Sequence, residues 1–386
     1  MNNKEQEKIL ENYNFIIGLS NIGNTCFMNS SLQNLINIEP LNNFFLMNDS
    51  EYYKKSKNID NYLGSNGEIS DGYLNLLKLI KENNQTKEKY IEPIDLANKI
   101  YINNPLYDMF SQRDACEFIL YFIDILHEDV NLIKKKTRIN PDEIETFYND
   151  EKDFKTRWEI YKKNNNSFLI NLFYGMLKSS ISCQECINNN MKSEIISFEA
   201  YSVISLNLNK KNSKIKEGDL TINDLLENLE ENEVLEGEES YYCSTCKKKT
   251  KQIRKNMIYN LPNYLILHFK RTIDGEKVNN IISFPINDFQ LNNYVLREKD
   301  QNIKYDLIGL INHYGSGKSG HFIAVCKKND KWFQFNDSEV SEFDSKNLIN
   351  ENNYCLFYKK KILTQMNYLM DYFNIKLLFI LAVDRI

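Results

Sequence analysis

Cys26 stands in Gly18-Leu-Ser-Asn21-Ile-Gly23-Asn24-Thr25-Cys26-Phe27-Met28-Asn29-Ser30-Ser31-Leu32-Gln33, where a glycine-broken polar loop gives way to a helix-like run. A thiol at such a junction can lie at the positive end of the helix, where its thiolate is favoured, and a thiolate is a nucleophile for acyl transfer. Phe27, Leu32, Leu35 and Ile36 recur on one face, which predicts a helix with Asn24 or Thr25 as N-cap and Pro40 closing the segment. Main-chain N–H groups of the first turn would point at anything bound to the sulfur. Asn21, five residues upstream, can bring a side-chain amide to the same place and serve a developing oxyanion. Without context a single cysteine reads as a small buried hydrophobe, so the case for chemistry rests on a partner base.

The chain has four histidines from which to choose. His321 lies in His313-Tyr-Gly315-Ser-Gly317-Lys-Ser-Gly320-His321-Phe-Ile-Ala-Val-Cys326, at the start of a strand that follows a glycine-rich loop, a place that projects into a cleft. A second strand, Trp332-Phe-Gln-Phe335-Asn336-Asp337, follows, and a hairpin across Lys327 to Lys331 brings Asn336 and Asp337 back beside His321. Cysteine early, histidine late and an amide or carboxylate shortly after is the order of papain-like thiol proteases. His127 sits near a helix end, where a solvated or C-terminal histidine is ordinary, His268 lies within a strand pattern, and His313 precedes the glycine loop. Their ordinary reading is structural, although His313 is near enough to the loop to touch a ligand.

Four further cysteines form two knuckles, Cys183-Gln-Glu-Cys186 and Cys243-Ser-Thr-Cys246. Two residues between ligands let one tight turn aim both sulfurs at a single ion, and two such turns complete a closed tetrahedral site for one structural zinc ion. The separation of the knuckles places them on the tips of adjacent strands. Four cysteine ligands leave no position for a reacting water, and nothing implies an organic cofactor.

Taken together, these segments resemble the ubiquitin-specific protease family of deubiquitinating enzymes, from about Asn14 to Lys360. The segment Gly18 to Leu35 is similar to the family's cysteine box, which implies Cys26 as nucleophile and Asn21 as oxyanion-hole residue. Tyr305 to Val340 is similar to its histidine box, implying His321 as general base, Asn336 as the residue that orients it and Asp337 in support. Ser111-Gln112-Arg113-Asp114-Ala115-Cys116-Glu117-Phe118 resembles the glutamine–aspartate box, with Arg113 and Cys116 departing from the residues usual there. Asp114, Glu117 and Gly320 then become candidates to line the channel for the substrate's tail, while Asp114 and Glu117 equally suit the start of a helix expected over Gln112 to Glu128. The resemblance implies an α+β, papain-like fold with a helical thumb, a β-rich palm and zinc-bearing β fingers. It also implies cleavage of the isopeptide or peptide bond after the C-terminal glycine of ubiquitin, with ubiquitin and ubiquitinated proteins as partners. The alternatives are a catalytically silent ubiquitin-binding scaffold, a protease for a ubiquitin-like modifier, and a zinc-ribbon module for nucleic acid.

Composition argues against the last. The 386 residues carry 48 basic and 53 acidic side chains, a net charge of -5 with no basic excess to hold a phosphate backbone. The length allows a sizeable core in one elaborated domain or two lobes. A polar extension over residues 1–13 precedes a catalytic domain over 14–360, with a helical thumb about 15–150 and fingers and palm about 168–360. Residues 361–386 form a tail whose apolar Ile375 to Val383 is too short to cross a bilayer and reads as a docking helix, so membrane association is not expected. Polar loops are expected near Tyr53 to Asp71, Lys162 to Ser167, Asn209 to Gly218 and Glu227 to Ser240. The polar start has no apolar segment of signal-peptide kind, and with reduced thiols this places the expected monomer in cytoplasm, nucleus or both.

Overall fold

The computed structural model describes residues 15–47, 51–86, 88–136, 150–191, 193–208, 220–230, 233–237, 240–273, 275–296, 302–316 and 319–361. The expected N-terminal extension, the tail helix and the Asn209 to Gly218 loop lie outside them. The architecture is α+β, as expected. Its helices are α1 (Cys26–Ile36), α2 (Glu39–Leu46), α3 (Glu51–Ser56), α4 (Glu68–Thr86), α5 (Ile94–Asn103), α6 (Ala115–Asp129), α7 (Asp150–Asn164), α8 (Phe168–Phe173), α9 (Gln184–Asn188) and α10 (Ile222–Glu230). No helix among the described residues is long and apolar enough to cross a membrane.

Helix α1 departs most from its sequence pattern. Its apolar face is buried as expected, but Asn29, Ser30, Ser31, Gln33 and Asn34 are buried too. Their polar atoms reach main-chain carbonyls of the surroundings: Gln33 donates to Ile17 O at 2.8 Å, Asn34 to Leu310 O at 3.2 Å and Ser31 to Ala115 O at 3.3 Å. A side chain that finds such an acceptor offsets the cost of leaving water. Thr25 is the N-cap but makes no side-chain capping bond. Pro40 does not close this helix; it stands in the first turn of α2, where its missing N–H costs nothing.

In the helical core a run of ring contacts leads away from Phe27, the residue after Cys26. Phe27 meets Phe118 edge-on at 5.6 Å, Phe118 stacks on Phe122 at 5.4 Å, and Phe122 meets Tyr73 of α4 at 5.6 Å. Helix α6 begins at Ala115, later than expected, because the Asp114 carboxylate accepts from Cys116 N and Glu117 N and caps it. Helix α8 also packs into this core, so the helical lobe runs past residue 150 before the strands begin.

The polar loop expected near Tyr53 to Asp71 is shorter, because Tyr53 is a buried residue of α3 and Asp71 belongs to α4. What holds the remainder is Asp129, fully buried at the end of α6, whose carboxylate accepts from Ser65 N and Ser65 Oγ at 2.6 Å each and from Gly67 N and Ser70 N at 3.2 Å each. Asp129→Ala strands three buried amides at once and is expected to cost about 3 kcal/mol, read as a lower urea midpoint. A midpoint unchanged in that variant would refute this role.

Two sheets follow. Strands β1 (Gly18–Leu19) and β2 (Tyr90–Ile91) make a small parallel pair beside α1. Strands β3 (Gly175–Cys183), β4 (Ile195–Tyr201), β5 (Val203–Asn207), β6 (Glu233–Leu235), β7 (Tyr241–Cys243), β8 (Lys248–Thr250), β9 (Gln252–Asn260) and β10 (Tyr264–Lys270) come next. The last group is β11 (Lys304–Gly315), β12 (Gly320–Lys328), β13 (Lys331–Asn336), β14 (Glu339–Phe343) and β15 (Asn353–Lys360). A four-stranded sheet has the order β4-β3-β9-β6, with β7 and β8 as a separate hairpin at its tip. The large sheet runs β14-β13-β12-β11-β15-β10-β5, antiparallel throughout except for the final β10–β5 pair, and Phe289–Gln290 adds to β11. Strand β10 reads Tyr-Leu-Ile-Leu-His-Phe-Lys and is buried on both faces, as a strand covered on two sides must be. One face of the sheet lies against α1, and the opposite core includes Leu225 and Leu226 of α10, a helix whose last four residues, Glu227 to Glu230, fall in a stretch expected to be loop.

Candidate active site

Cys26 is the first residue of α1 and is buried at 5 % exposure. The β12–β13 hairpin forms as the spacing predicts, in a register that pairs Lys328 with Lys331 and Ala324 with Phe335, and so returns Asn336 to the neighbourhood of His321. The His321 Nε2 lies 2.6 Å from Asn336 Oδ1 and 3.9 Å from Asp337 Oδ2. With Nε2 occupied, Nδ1 is the nitrogen left to bond Cys26. That bond is the largest cause of a pKa raised to about 9; burial opposes it, and the Asn336 bond and the charges of Cys26 and Asp337 add to it. The imidazole is therefore held as imidazolium through neutral pH.

Asp337 ties this group together. Its carboxylate accepts from Asn21 Nδ2 at 2.9 Å and from Asn29 Nδ2 at 2.8 Å, and its carbonyl accepts from Leu19 N at 2.9 Å. The backbone turns there through φ 50°, a left-handed conformation that aspartate tolerates better than most residues. The turn presses onto β1 so closely that a Cβ on Gly18 would lie 2.4 Å from Ser338 O, which leaves glycine as the residue that fits. Asn21 is pinned at its other end, because its Oδ1 accepts from Gly23 N at 3.2 Å and Thr25 N at 3.0 Å. Its amide is thereby oriented, with one of the two Nδ2 hydrogens given to Asp337.

The rim of the site comes from the segment before α6. Asn24 N donates to Met109 O at 2.7 Å and its side chain to Phe110 O, which ties the cysteine loop to that segment. Gly320 N donates to Gln112 Oε1 at 3.2 Å, a bond that spans the two lobes. Asp114 divides its carboxylate between the α6 cap and the hydroxyl of Tyr354 on β15, so the helix-start reading of Asp114 has a direct geometric basis. Glu117 is exposed on the first turn of α6. His313 stacks on Phe322 at 4.5 Å; burial, then the Lys277 charge, depress its pKa to about 4, which marks a packing residue. His127 lies in the last turn of α6, as its place near a helix end suggests, and is buried, 2.7 Å from Ser167 Oγ.

Three contributors have no counterpart among the residues singled out by sequence: Asn29, Tyr354 and the cross-lobe bond of Gln112. Asn29 carried a faint signal, a carboxamide one turn after the cysteine in a run of small polar residues.

Some distance along the chain, the two knuckles converge. Cys183 ends β3, Cys186 lies in α9, Cys243 ends β7 and Cys246 is in the turn before β8. Their four sulfurs lie within 4.8 Å of one another, with Cys186 3.3 Å from Cys246, Cys186 3.7 Å from Cys243, and Cys183 3.8 Å from Cys246. A tetrahedron of Zn–S bonds of about 2.3 Å has edges of about 3.8 Å, close to this spacing. Thr250 Oγ1 sits 3.1 Å from the Cys183 sulfur, and Cys246 N donates to that of Cys243 at 3.4 Å. The group can hold one metal ion.

A cysteine against an imidazole backed by a carboxamide, set between a helical lobe and a sheet, is the arrangement of a papain-like thiol hydrolase. The family model described as ubiquitin carboxyl-terminal hydrolase matches residues 17–358, and the chain belongs to that family. It is 31 % identical over 351 residues to the Drosophila melanogaster ubiquitin carboxyl-terminal hydrolase Usp2, covering 89 % of this chain and 35 % of that protein. To the Homo sapiens ubiquitin carboxyl-terminal hydrolase 2 it is 29 % identical over 352 residues, covering 89 % of this chain and 55 % of that protein. The chain thus spans about a third to just over half of these relatives. Among solved structures it is similar to a chain of the SAGA Ubp8/Sgf11/Sus1/Sgf73 DUB module bound to ubiquitin aldehyde, with TM-score 0.64, 25 % identity, and coverage of 92 % of this chain and 71 % of that one.

Proposed function

We propose that the chain is a thiol-dependent deubiquitinase that hydrolyses the bond after the C-terminal glycine of ubiquitin through a Cys26 acyl-enzyme. The observation that carries this reading is the line from the Cys26 thiol through His321 to Asn336, closed by a 2.6 Å contact, in a member of this family. In the proposed cycle the Cys26 thiolate attacks the glycine carbonyl carbon, and its oxygen turns toward Asn21 Nδ2 and the N–H groups at the start of α1. The His321 imidazolium gives its Nδ1 proton to the leaving amine. The neutral ring then takes a proton from water, the hydroxide attacks the thioester, and ubiquitin leaves with a free carboxylate. Asn336 holds the ring through Nε2, while Asp337 supports both that ring and the Asn21 amide. Gly320, with Asp114 and Glu117 nearby, is assigned to the channel for the substrate's tail; a Cβ on Gly320 would lie 2.3 Å from His313 Nε2.

The four knuckle cysteines are assigned one zinc ion with a structural role. Bound there, the ion would neutralise thiolate charge and fasten the β7–β8 hairpin to the end of β3. It takes no part in the bond cleavage.

Ubiquitin carrying a C-terminal electrophile tests the proposal. The expected result is a stoichiometric covalent adduct, absent in Cys26→Ala. A folded, metal-loaded protein that binds ubiquitin without forming the adduct would instead be a silent scaffold, and reaction only with another modifier's tail would move the substrate.

A further inference from the structure

One buried amide nitrogen joins three of the elements that build the proposed reaction centre. Asn29 lies one turn beyond Cys26 on α1 and is 2 % exposed; its main-chain N donates to Thr25 O at 2.9 Å, closing the turn that carries the sulfur. Its Nδ2 donates to Asp337 Oδ1 at 2.8 Å, Ser20 O at 3.1 Å and Leu19 O at 3.2 Å. A carboxamide nitrogen has two hydrogens, so the two carbonyls share one and the carboxylate takes the other. Asp337 belongs to the turn that follows Asn336 at the end of β13, and Leu19 and Ser20 to the end of β1 that leads into Asn21.

The other half of this amide gains nothing from its place. Asn29 Oδ1 is buried with no hydrogen-bond partner among the described residues. A buried oxygen without a donor is destabilising, and it is retained here on a residue whose nitrogen meets three acceptors. What Asn29 supplies is therefore the donor, and the shortest of its three bonds goes to Asp337.

Asp337 is subject to competing pulls. Its Oδ2 accepts from Asn21 Nδ2 at 2.9 Å and lies 3.9 Å from His321 Nε2. A charged imidazole draws a carboxylate more strongly than a neutral amide does. The bond from Asn29 to Oδ1 opposes that pull and keeps the carboxylate at the angle at which Oδ2 serves Asn21. From these contacts, and taking the hydrolase reading as given, we infer that Asn29 is a positioning residue for the oxyanion site: it fixes Asp337, and Asp337 fixes the Asn21 amide. Without Asn29 the carboxylate turns toward His321, and the second hydrogen of Asn21 Nδ2 loses its aim at the oxygen of the tetrahedral intermediate. His321 keeps its 2.6 Å contact with Asn336, which does not pass through Asn29.

Two reactions of the same sulfur separate this role from simple packing. Hydrolysis of ubiquitin carrying a C-terminal fluorogenic amide passes through an oxyanion, whereas alkylation of Cys26 by iodoacetamide does not. Asn29→Ala should lower kcat on the ubiquitin amide by about ten- to a hundredfold with KM nearly unchanged, less than the roughly hundred- to thousandfold loss that follows removal of an oxyanion donor itself. Its rate of Cys26 alkylation, followed by mass spectrometry, should match that of the wild type. In an Asp337→Asn background, where one of the two amides already lacks its acceptor, the same substitution should lower kcat little further. Asn29→Asp keeps the size of the side chain and sets a second carboxylate against Asp337. It should be slower than Asn29→Ala at neutral pH and regain rate relative to the wild type as the pH falls to about 5, where one acid of the pair takes a proton and donates as the amide did.

An Asn29→Ala protein with wild-type kcat overturns the inference and leaves the hydrolase reading standing. So does one whose alkylation slows in step with hydrolysis, which would make Asn29 a support of the sulfur, or one whose loss is undiminished in Asp337→Asn. A wild type that is alkylated at Cys26 yet does not turn over the ubiquitin amide overturns the hydrolase reading, and this role with it.

Discussion

His321→Ala is expected to lower kcat on a ubiquitin substrate by about a thousandfold or more, with ubiquitin affinity nearly unchanged. The ring is asked for two proton transfers, and neither neighbour can take its place: His313 is neutral and committed to Phe322, and Asn336 cannot exchange a proton. The pH profile supplies the signature that distinguishes a proton carrier from a packing residue. Because the folded pKa is raised to about 9, the ring is protonated below that value and loses its charge as pH rises through it. The rate should therefore fall on the alkaline side near 9. In Asn336→Ala that limb should move to lower pH, since a hydrogen bond favouring the charged ring has gone. A His321→Ala protein that turns over at a near-normal rate would remove the histidine from the mechanism.

Loss of one knuckle sulfur has the second large effect. Cys243→Ser should reduce bound zinc from one per chain to nearly none, as measured by metal analysis, and lower the thermal midpoint by about 5 °C or more. Three of the four sulfurs are buried, and among the described residues the β7–β8 hairpin pairs with no other strand of the finger sheet, so the proposed metal is its main anchor. Zinc content unaltered by the substitution would reject the tetrathiolate site.

The contrast between what was and was not legible in the sequence has a physical cause. Cys26 and His321 were readable because each sits at a local junction, loop into helix or glycine loop into strand, and a short hairpin fixes Asn336 by register. The knuckles were readable because their spacing is itself the coordination geometry. Asn29 and Gln112 act through hydrogen bonds to distant positions that no periodicity announces. Nor could a helical pattern show that the polar residues of α1 are buried, since that depends on which carbonyls the neighbours present. The end of helix α10 reads as loop because Glu227, Asn228 and Glu230 mask Leu229, which continues the stripe of Ile222, Leu225 and Leu226.

The coverage of α1 on every side has an effect on how such a protein can diversify. A sulfur mounted on a rod that both lobes grip keeps its coordinates when surface segments lengthen, shorten or change charge. Natural variation is then free to redraw the approach routes, and with them the clientele, without resetting the reaction centre. The corollary is intolerance inside: a change at Gln33 or Asn34 that loosened the grip would displace the warhead and weaken the scaffold in a single stroke.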